Sequence, residues 1–196
     1  MILRIAFFLI LMAGLLAVTC SRTPGVQTEK VTGVDMSNYD TYAYLPTGDT
    51  AGYQVAFDES VIREVNQEMQ ARGYRLNTEN PDLLVLVKSM YQEETVVERS
   101  PIYTTYDYYN PDILAPESLE RFYYTRYNTV INLRGANIRT IEYSEGGFLV
   151  DMIDASNNEI VWRGWSPTSV NPLALQSSIR SYIDNIFEEF PVPAKE

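Results

Sequence analysis

Residues 146–165 read GGFLVDMIDASNNEIVWRGW. Two apolar runs flank Ala155-Ser156-Asn157-Asn158, a cluster of turn-forming residues, and this arrangement predicts a long antiparallel hairpin. With Ser156, Asn157 and Asn158 as the loop, Asn158 takes the left-handed conformation that closes a three-residue turn. Ala155 then faces Glu159, and counting back along both strands sets Asp151 opposite Arg163. In that register Phe148, Val150, Met152, Ile160 and Trp162 share one face, ready for a layer of helices. Leu149, Ile153, Val161 and Trp165 lie on the other face beside Asp151 and Arg163. A slip of one residue would scatter the apolar set and leave Asp151 without its partner. The hairpin specifies a fold and names no chemistry.

Working outward, two segments carry a helical period. Phe57, Val61, Ile62, Val65 and Met69 fall on one face, with Glu59/Arg63 and Glu68/Arg72 four apart on the exposed side. Asp58 or a neighbour caps the start, Gly73 supplies the left-handed stop, and Tyr74 folds back onto the last turn. Asn171-Pro172 opens the second helix, whose stripe is Leu175, Ile179, Tyr182, Ile183, Ile186 and Phe190, ended by Pro191. Residues 82–92 (DLLVLVKSMYQ) are apolar on both sides in their first half, as in an internal strand. Residues 31–36 and 39–45 are β-rich, and 129–133 and 138–143 are further strand candidates. Together these predict an α+β fold: a two-layer sandwich with a mainly antiparallel sheet of about five or six strands and two helices packed on one face.

Residues 93–127 interrupt this pattern. They contain Tyr103, Tyr106, Tyr108, Tyr109, Tyr123, Tyr124 and Tyr127, with Pro101, Pro111 and Pro116, and prolines keep such a segment out of a sheet centre. This Tyr-rich excursion is a candidate cover for the second sheet face, which is too apolar to be wholly wet.

At the N-terminus, Arg4 precedes an apolar run over residues 5–18 of signal-peptide length, too short for a comfortable membrane span. The chain's single cysteine, Cys20, directly follows Leu16-Ala17-Val18-Thr19. That order resembles the lipobox of bacterial lipoproteins, in which the cysteine is acylated and becomes the mature N-terminus. The alternatives are a buried structural cysteine or an unpaired thiol. Under the lipobox reading, residues 1–19 are a lipoprotein signal peptide and 20–30 a flexible tether. A single α+β domain then fills 31–196, with the excursion at about 93–127. Several acyl chains give stable anchoring, and Ser21 after the cysteine favours the outer membrane in proteobacterial-type sorting.

Composition narrows the function. Hydrophobic residues are 45% of the 196, sufficient for a core. A net charge of −11 argues against nucleic acid, since phosphate binding needs a basic footprint. The chain has no histidine, which removes the commonest general base and metal ligand and every Ser-His or Cys-His nucleophile pair. No cofactor is expected. Nor is a metal, because residues 154–159 lack the acidic alternation and glycine of a calcium loop.

Four segments resemble a family of bacterial lipoproteins known as domain of unknown function 4136. Tyr39-Asp40-Thr41-Tyr42-Ala43-Tyr44 is similar to an early "YxTYxW/Y" element, and Ala71-Arg72-Gly73-Tyr74 to a helix-ending "KGY". Asn80-Pro81-Asp82-Leu83-Leu84-Val85 is similar to an "xADLLV" strand, and residues 146–164 to a "GxLxIDxxDxxxxxxVWRG" hairpin. The resemblance implies a lipid-anchored envelope domain with no assigned activity.

Three candidate chemistries follow. Asp151 and Asp154, with Glu142, Glu145 and Glu159 nearby, suggest a catalytic carboxylate pair, but Asp151 has a simpler role opposite Arg163 and Asp154 adjoins a turn. Arg163-Gly164-Trp165 suggests a recognition motif; against it, Gly164 permits close backbone approach while Trp162 fills the core. The tyrosines at 103, 106, 108 and 109 are the candidate binding surface, suited to a glycan or an envelope protein partner. The other reading of them is a plain solvent-facing β surface. The expectation is a non-enzymatic binding or assembly module, held to the membrane through Cys20. The alternatives are a carboxylate-based hydrolase acting on cell-wall glycans and a structural accessory to a larger membrane complex.

Overall fold

The computed structural model describes residues 26–46, 52–90, 101–102, 117–130, 133–135, 141–142, 147–166 and 172–195. The hairpin forms as β8 (Gly147–Asp154) and β9 (Glu159–Trp165) at the centre of the sheet. Asp151 stands opposite Arg163 as the sequence predicts, but by a different route. The turn has four residues, 155–158, because the Asp154 carbonyl accepts the amides of Asn157 (3.4 Å) and Asn158 (2.8 Å). Asn158 takes the expected left-handed backbone at φ 60°. Asp154 therefore pairs with Glu159 and Ile153 with Ile160, and an irregularity then restores Met152 to Trp162 and Asp151 to Arg163. The extra residue is Val161, a bulge that places it beside Trp162 on the helix side. Ile160 consequently moves to the opposite face with Ile153. The expected faces of Ile160 and Val161 are thus exchanged.

Around the hairpin the strands run in the order β1 (Gln27–Lys30), β9, β8, β4 (Leu83–Met90), β2 (Thr41–Leu45) and β3 (Arg75–Leu76). The β1, β9, β8 and β4 contacts are antiparallel, whereas β2 runs parallel to both β3 and β4. A short β6 (Arg134–Gly135) adds parallel to β9. Separately, β5 (Pro101–Ile102) pairs with β7 (Ile141–Glu142). The fold is an α+β sandwich on an open, mixed sheet.

Helices α1 (Gly52–Ala71) and α2 (Pro172–Glu188) pack together on one sheet face. Val61, Val65 and Met69 from α1, and Ile183, Ile186 and Phe187 from α2, bury against Tyr42, Val85, Met152 and Trp162. β2 sends its tyrosine hydroxyls into this layer: Tyr42 donates to Asn66 Oδ1 at 2.6 Å and Tyr44 to the Ile62 carbonyl at 3.3 Å. α1 ends as expected. Gly73 has φ 93°, the Tyr74 amide reaches the Met69 carbonyl (3.1 Å) and the Gly73 amide that of Gln70 (2.9 Å), a Schellman stop.

Several boundaries differ from the sequence reading. Residues 31–36 are not a strand: Gly33 takes φ 89°, and Asp35 caps a short 3-10 turn (Met36–Asn38) by accepting the Ser37 amide at 3.0 Å. The first strand comes earlier, within the stretch expected as tether. α1 begins at Gly52 rather than near Phe57. Residues 129–133 are not a strand where described: Tyr127–Thr129 is a 3-10 turn. Of 138–143 only β7 is described, and Asn171 lies outside the described residues. Arg72, expected on the exposed side of α1, is buried. It donates through Nη1 to the carboxylate and carbonyl of Glu68 and through Nη2 to the Phe187 carbonyl at 2.6 Å, and it lies over the Phe187 ring. The Phe187 carbonyl, which also accepts the Phe190 amide at 3.2 Å, thereby gains a second donor, and the guanidinium ties the two helix ends together.

Candidate functional site

The face of the sheet away from the helices is covered, in part by the end of the Tyr-rich excursion. Residues 117–130 begin on the helix side, where Leu119 and Tyr123 are buried and Phe122 meets the Tyr44 ring edge-on at 6.2 Å. Tyr123 bridges to Tyr44, and the Tyr124 amide donates to the Tyr44 carbonyl at 2.9 Å. The segment then turns under the sheet. Val130 and Leu133, with the partly buried Tyr124 and Tyr127, pack on Leu45, Leu84, Leu86, Ile153 and Ile160. It ends by pairing β6 with β9. Three of the seven tyrosines in this region are therefore built into the fold. At the rim, exposed Arg126 lies over the Tyr124 ring at 5.7 Å and donates to the Glu79 carbonyl at 3.4 Å.

Asp151 and Arg163 share this second face and are both fully buried. Arg163 Nε donates to Asp151 Oδ1 at 2.5 Å and Nη2 to Oδ2 at 2.6 Å, the two-pronged match of guanidinium to carboxylate. Gly164 turns to the helix side. A Cβ there would stand 2.5 Å from the Trp162 ring and 2.7 Å from Ile186. The Arg-Gly-Trp run is thus explained by packing: a buried ion pair, a close helix approach and a buried indole. Trp165 Nε1 has no hydrogen-bond partner among the described residues.

Asp154 does not join Asp151. Its Oδ1 accepts the Ser156 amide (2.8 Å) and hydroxyl (2.6 Å), and its Oδ2 accepts the Tyr39 hydroxyl at 3.0 Å. Burial, then the Asp154 carboxylate, push the Tyr39 hydroxyl up to about 12. A second carboxylate clamp lies nearby. Asp82 Oδ2 accepts the amides of Asp40 (3.0 Å) and Thr41 (2.9 Å) and the Thr41 hydroxyl (2.8 Å), and Thr41 Oγ1 accepts the Asp82 amide in return. These bonds lock the starts of β2 and β4 in parallel register. They also give the Tyr39–Thr41 and Pro81-Asp82 segments a structural purpose.

One cleft was not foreseen. It lies beside β1, has a volume of about 340 Å³, and is lined by residues 26–29, Trp165, Asn185, Glu188 and Glu189. Glu29, Glu188 and Glu189 make its rim acidic. Among the described residues no group of three or more His, Cys, Asp or Glu side chains is placed to hold a metal ion. The cleft joins the first strand to the end of the last helix, so no local sequence pattern announces it. Cys20, Tyr103, Tyr106, Tyr108 and Tyr109 lie outside the described residues, as does Glu145. No described helix is long and apolar enough to cross a membrane.

Comparison with known proteins gives a family and a distant likeness. The model of the family described as "Domain of unknown function (DUF4136)" matches residues 26–192. No curated protein matches. Among solved structures, a PDZ domain protein from Parabacteroides distasonis ATCC 8503 is similar at 12% identity and TM-score 0.49, over 87% of this chain and 36% of that one. The chain thus spans about a third of that protein. A PelC dodecamer from Paraburkholderia phytofirmans is similar at 15% identity and TM-score 0.42, over 87% of this chain and 99% of that one.

Proposed function

The chain belongs to the DUF4136 family, a domain of unknown function, and from its own residues we propose that it is a lipid-anchored envelope protein that acts as a non-enzymatic binding or assembly module.

The observation that carries this reading is the order at the N-terminus: an apolar run closed by the chain's single cysteine, Cys20, with β1 starting at Gln27. Acylation of that sulfur tethers the domain to the membrane, and the Ser21 that follows favours the outer membrane. The non-enzymatic part draws support from the hairpin carboxylates. Asp151 is buried in its pair with Arg163, and Asp154 is bound by Ser156 and Tyr39. Both carboxylates thus have structural partners, which sets them apart from the pair of acids that glycoside hydrolysis uses. For the binding surface, the tyrosines at 103, 106, 108 and 109 remain the candidates, joined by the Tyr124–Arg126 rim.

Two measurements test the proposal. Mass spectrometry of the membrane-extracted protein should find acyl chains on Cys20, and Cys20→Ser should release the protein from membranes. Crosslinking of the anchored protein should capture a partner that a Tyr106/Tyr108/Tyr109 alanine variant loses. A bare sulfur refutes the anchor, and unchanged partners refute the binding surface.

A further inference from the structure

Resting on the anchor reading above, we infer that the β1 edge of the sheet is the surface facing the lipid bilayer, and that the opposite corner, where residues 77–80 meet Tyr124 and Arg126, points away from it.

The argument is geometric. Gln27 is seven residues beyond Cys20 in the sequence, so a fully extended chain separates them by at most about 25 Å. Gln27 enters the sheet on its outermost strand, opposite Trp165. The far corner is displaced in both sheet directions. Passing from β1 to β2 crosses β9, β8 and β4, about 19 Å at the usual strand spacing. Along the strands, Trp165 to Glu159 adds about 20 Å. Glu79 lies at that far end, in the loop preceding Leu83, which pairs with Asp154, and it is tied to Arg126. The diagonal, about 28 Å, exceeds the whole reach of the tether.

The chemistry of the near edge agrees with a tethered surface and not an embedded one. Glu29, Glu188 and Glu189 rim the cleft beside β1. Carboxylates at a bilayer surface are repelled by anionic headgroups. The acyl chains therefore supply the attachment, and the rim holds the domain just above the headgroups. More anionic lipid should lift it further.

An acylated Cys20 leaves no free thiol, so one introduced cysteine can carry a fluorophore. Gln27→Cys and Glu79→Cys, both at exposed positions, are labelled in the full acylated protein and placed in vesicles of neutral phosphatidylcholine bearing an acceptor lipid. Energy transfer from position 27 should exceed that from position 79 by at least about twofold, given the difference in height. Replacing part of the neutral lipid with phosphatidylglycerol should lower transfer from position 27. Equal or reversed transfer with Cys20 acylated overturns the orientation alone. A bare Cys20 in the mass spectrum of the same sample overturns the anchor and the orientation with it. Transfer indifferent to phosphatidylglycerol overturns the placement of the acidic rim against the bilayer.

Discussion

Arg163 and Asp151 meet side by side across β9 and β8, their two hydrogen bonds of 2.5 and 2.6 Å made wholly out of water. Such a pair is costly to bury, and much costlier to break from one side. Asp151→Asn or Arg163→Met breaks this buried pair from one side, and each should cost about 3–5 kcal/mol. The double replacement Asp151→Leu with Arg163→Met removes both charges and should recover most of that loss. Urea unfolding of the three variants measures this directly. A double variant no more stable than the singles would mean that the pair is needed as charges, beyond its packing.

Gly164 lies where Ile186 of α2 presses against β9, with Ile186 and Trp162 both within 3 Å of where a Cβ would stand. Gly164→Ala therefore forces a ring or a helix to shift and should destabilise by about 1–3 kcal/mol. Gly33 offers a contrast. Nothing lies within 4 Å of it, but its φ is 89°, so Gly33→Ala should lose about 1–2 kcal/mol through backbone strain alone. Thermal unfolding combined with near-UV circular dichroism separates the two causes. Only the first substitution should alter the signal of Trp162.

Asp82 links the starts of two parallel strands. Burial raises its carboxyl, but the Thr41 hydroxyl and the amides of Asp40 and Thr41 outweigh this and hold it below the ordinary carboxylate value. A depressed folded pKa means that the unfolded chain takes up the proton first on acidification. The stabilisation is thus present above about pH 4 and is lost as pH falls through the folded value. Asp82→Asn should cost about 1 kcal/mol at neutral pH and flatten the acid limb of a stability-against-pH curve. An acid limb of unchanged slope would place the sensitivity in other carboxylates.

The features visible in the sequence share a local cause. Asn158 and Gly73 were readable because few residues accept a left-handed backbone, and both take it. The Asp151–Arg163 pair was readable because opposite charges flanked one turn. Its register, however, came out right through two compensating differences, a turn longer by one residue and the bulge at Val161. Nothing in Ile160-Val161-Trp162 distinguishes a straight strand from a bulged one. Gln27-Thr28-Glu29-Lys30 reads as tether because an edge strand carries polar residues on purpose. The burial of Arg72 was hidden for a different reason. Its spacing from Glu68 is that of any exposed helix pair, and the carbonyl that draws it inward belongs to Phe187, 115 residues away. The acidic cleft is likewise a product of tertiary contact between chain ends.

Tyrosine burial gives the fold an alkaline limit. Burial pushes the hydroxyls of Tyr39 and Tyr74 up to about 12, with the Asp154 carboxylate adding to the first. Tyr42 and Tyr44 are raised too, again chiefly by burial. In the unfolded chain these groups ionise near pH 10. Between about pH 10 and 12 the folded state therefore holds protons that the unfolded state has released, and stability must fall as pH rises. Below about pH 10 this contribution is complete. Tyr74→Phe removes one such group, along with its 2.7 Å bond to the Met36 carbonyl. That variant should be less stable at neutral pH but should lose stability less steeply above pH 10. Urea midpoints taken through the alkaline range, with tyrosinate absorbance followed at the same time, provide the check. Parallel curves for the variant and the parent protein would show that Tyr74 ionises as freely in the fold as out of it.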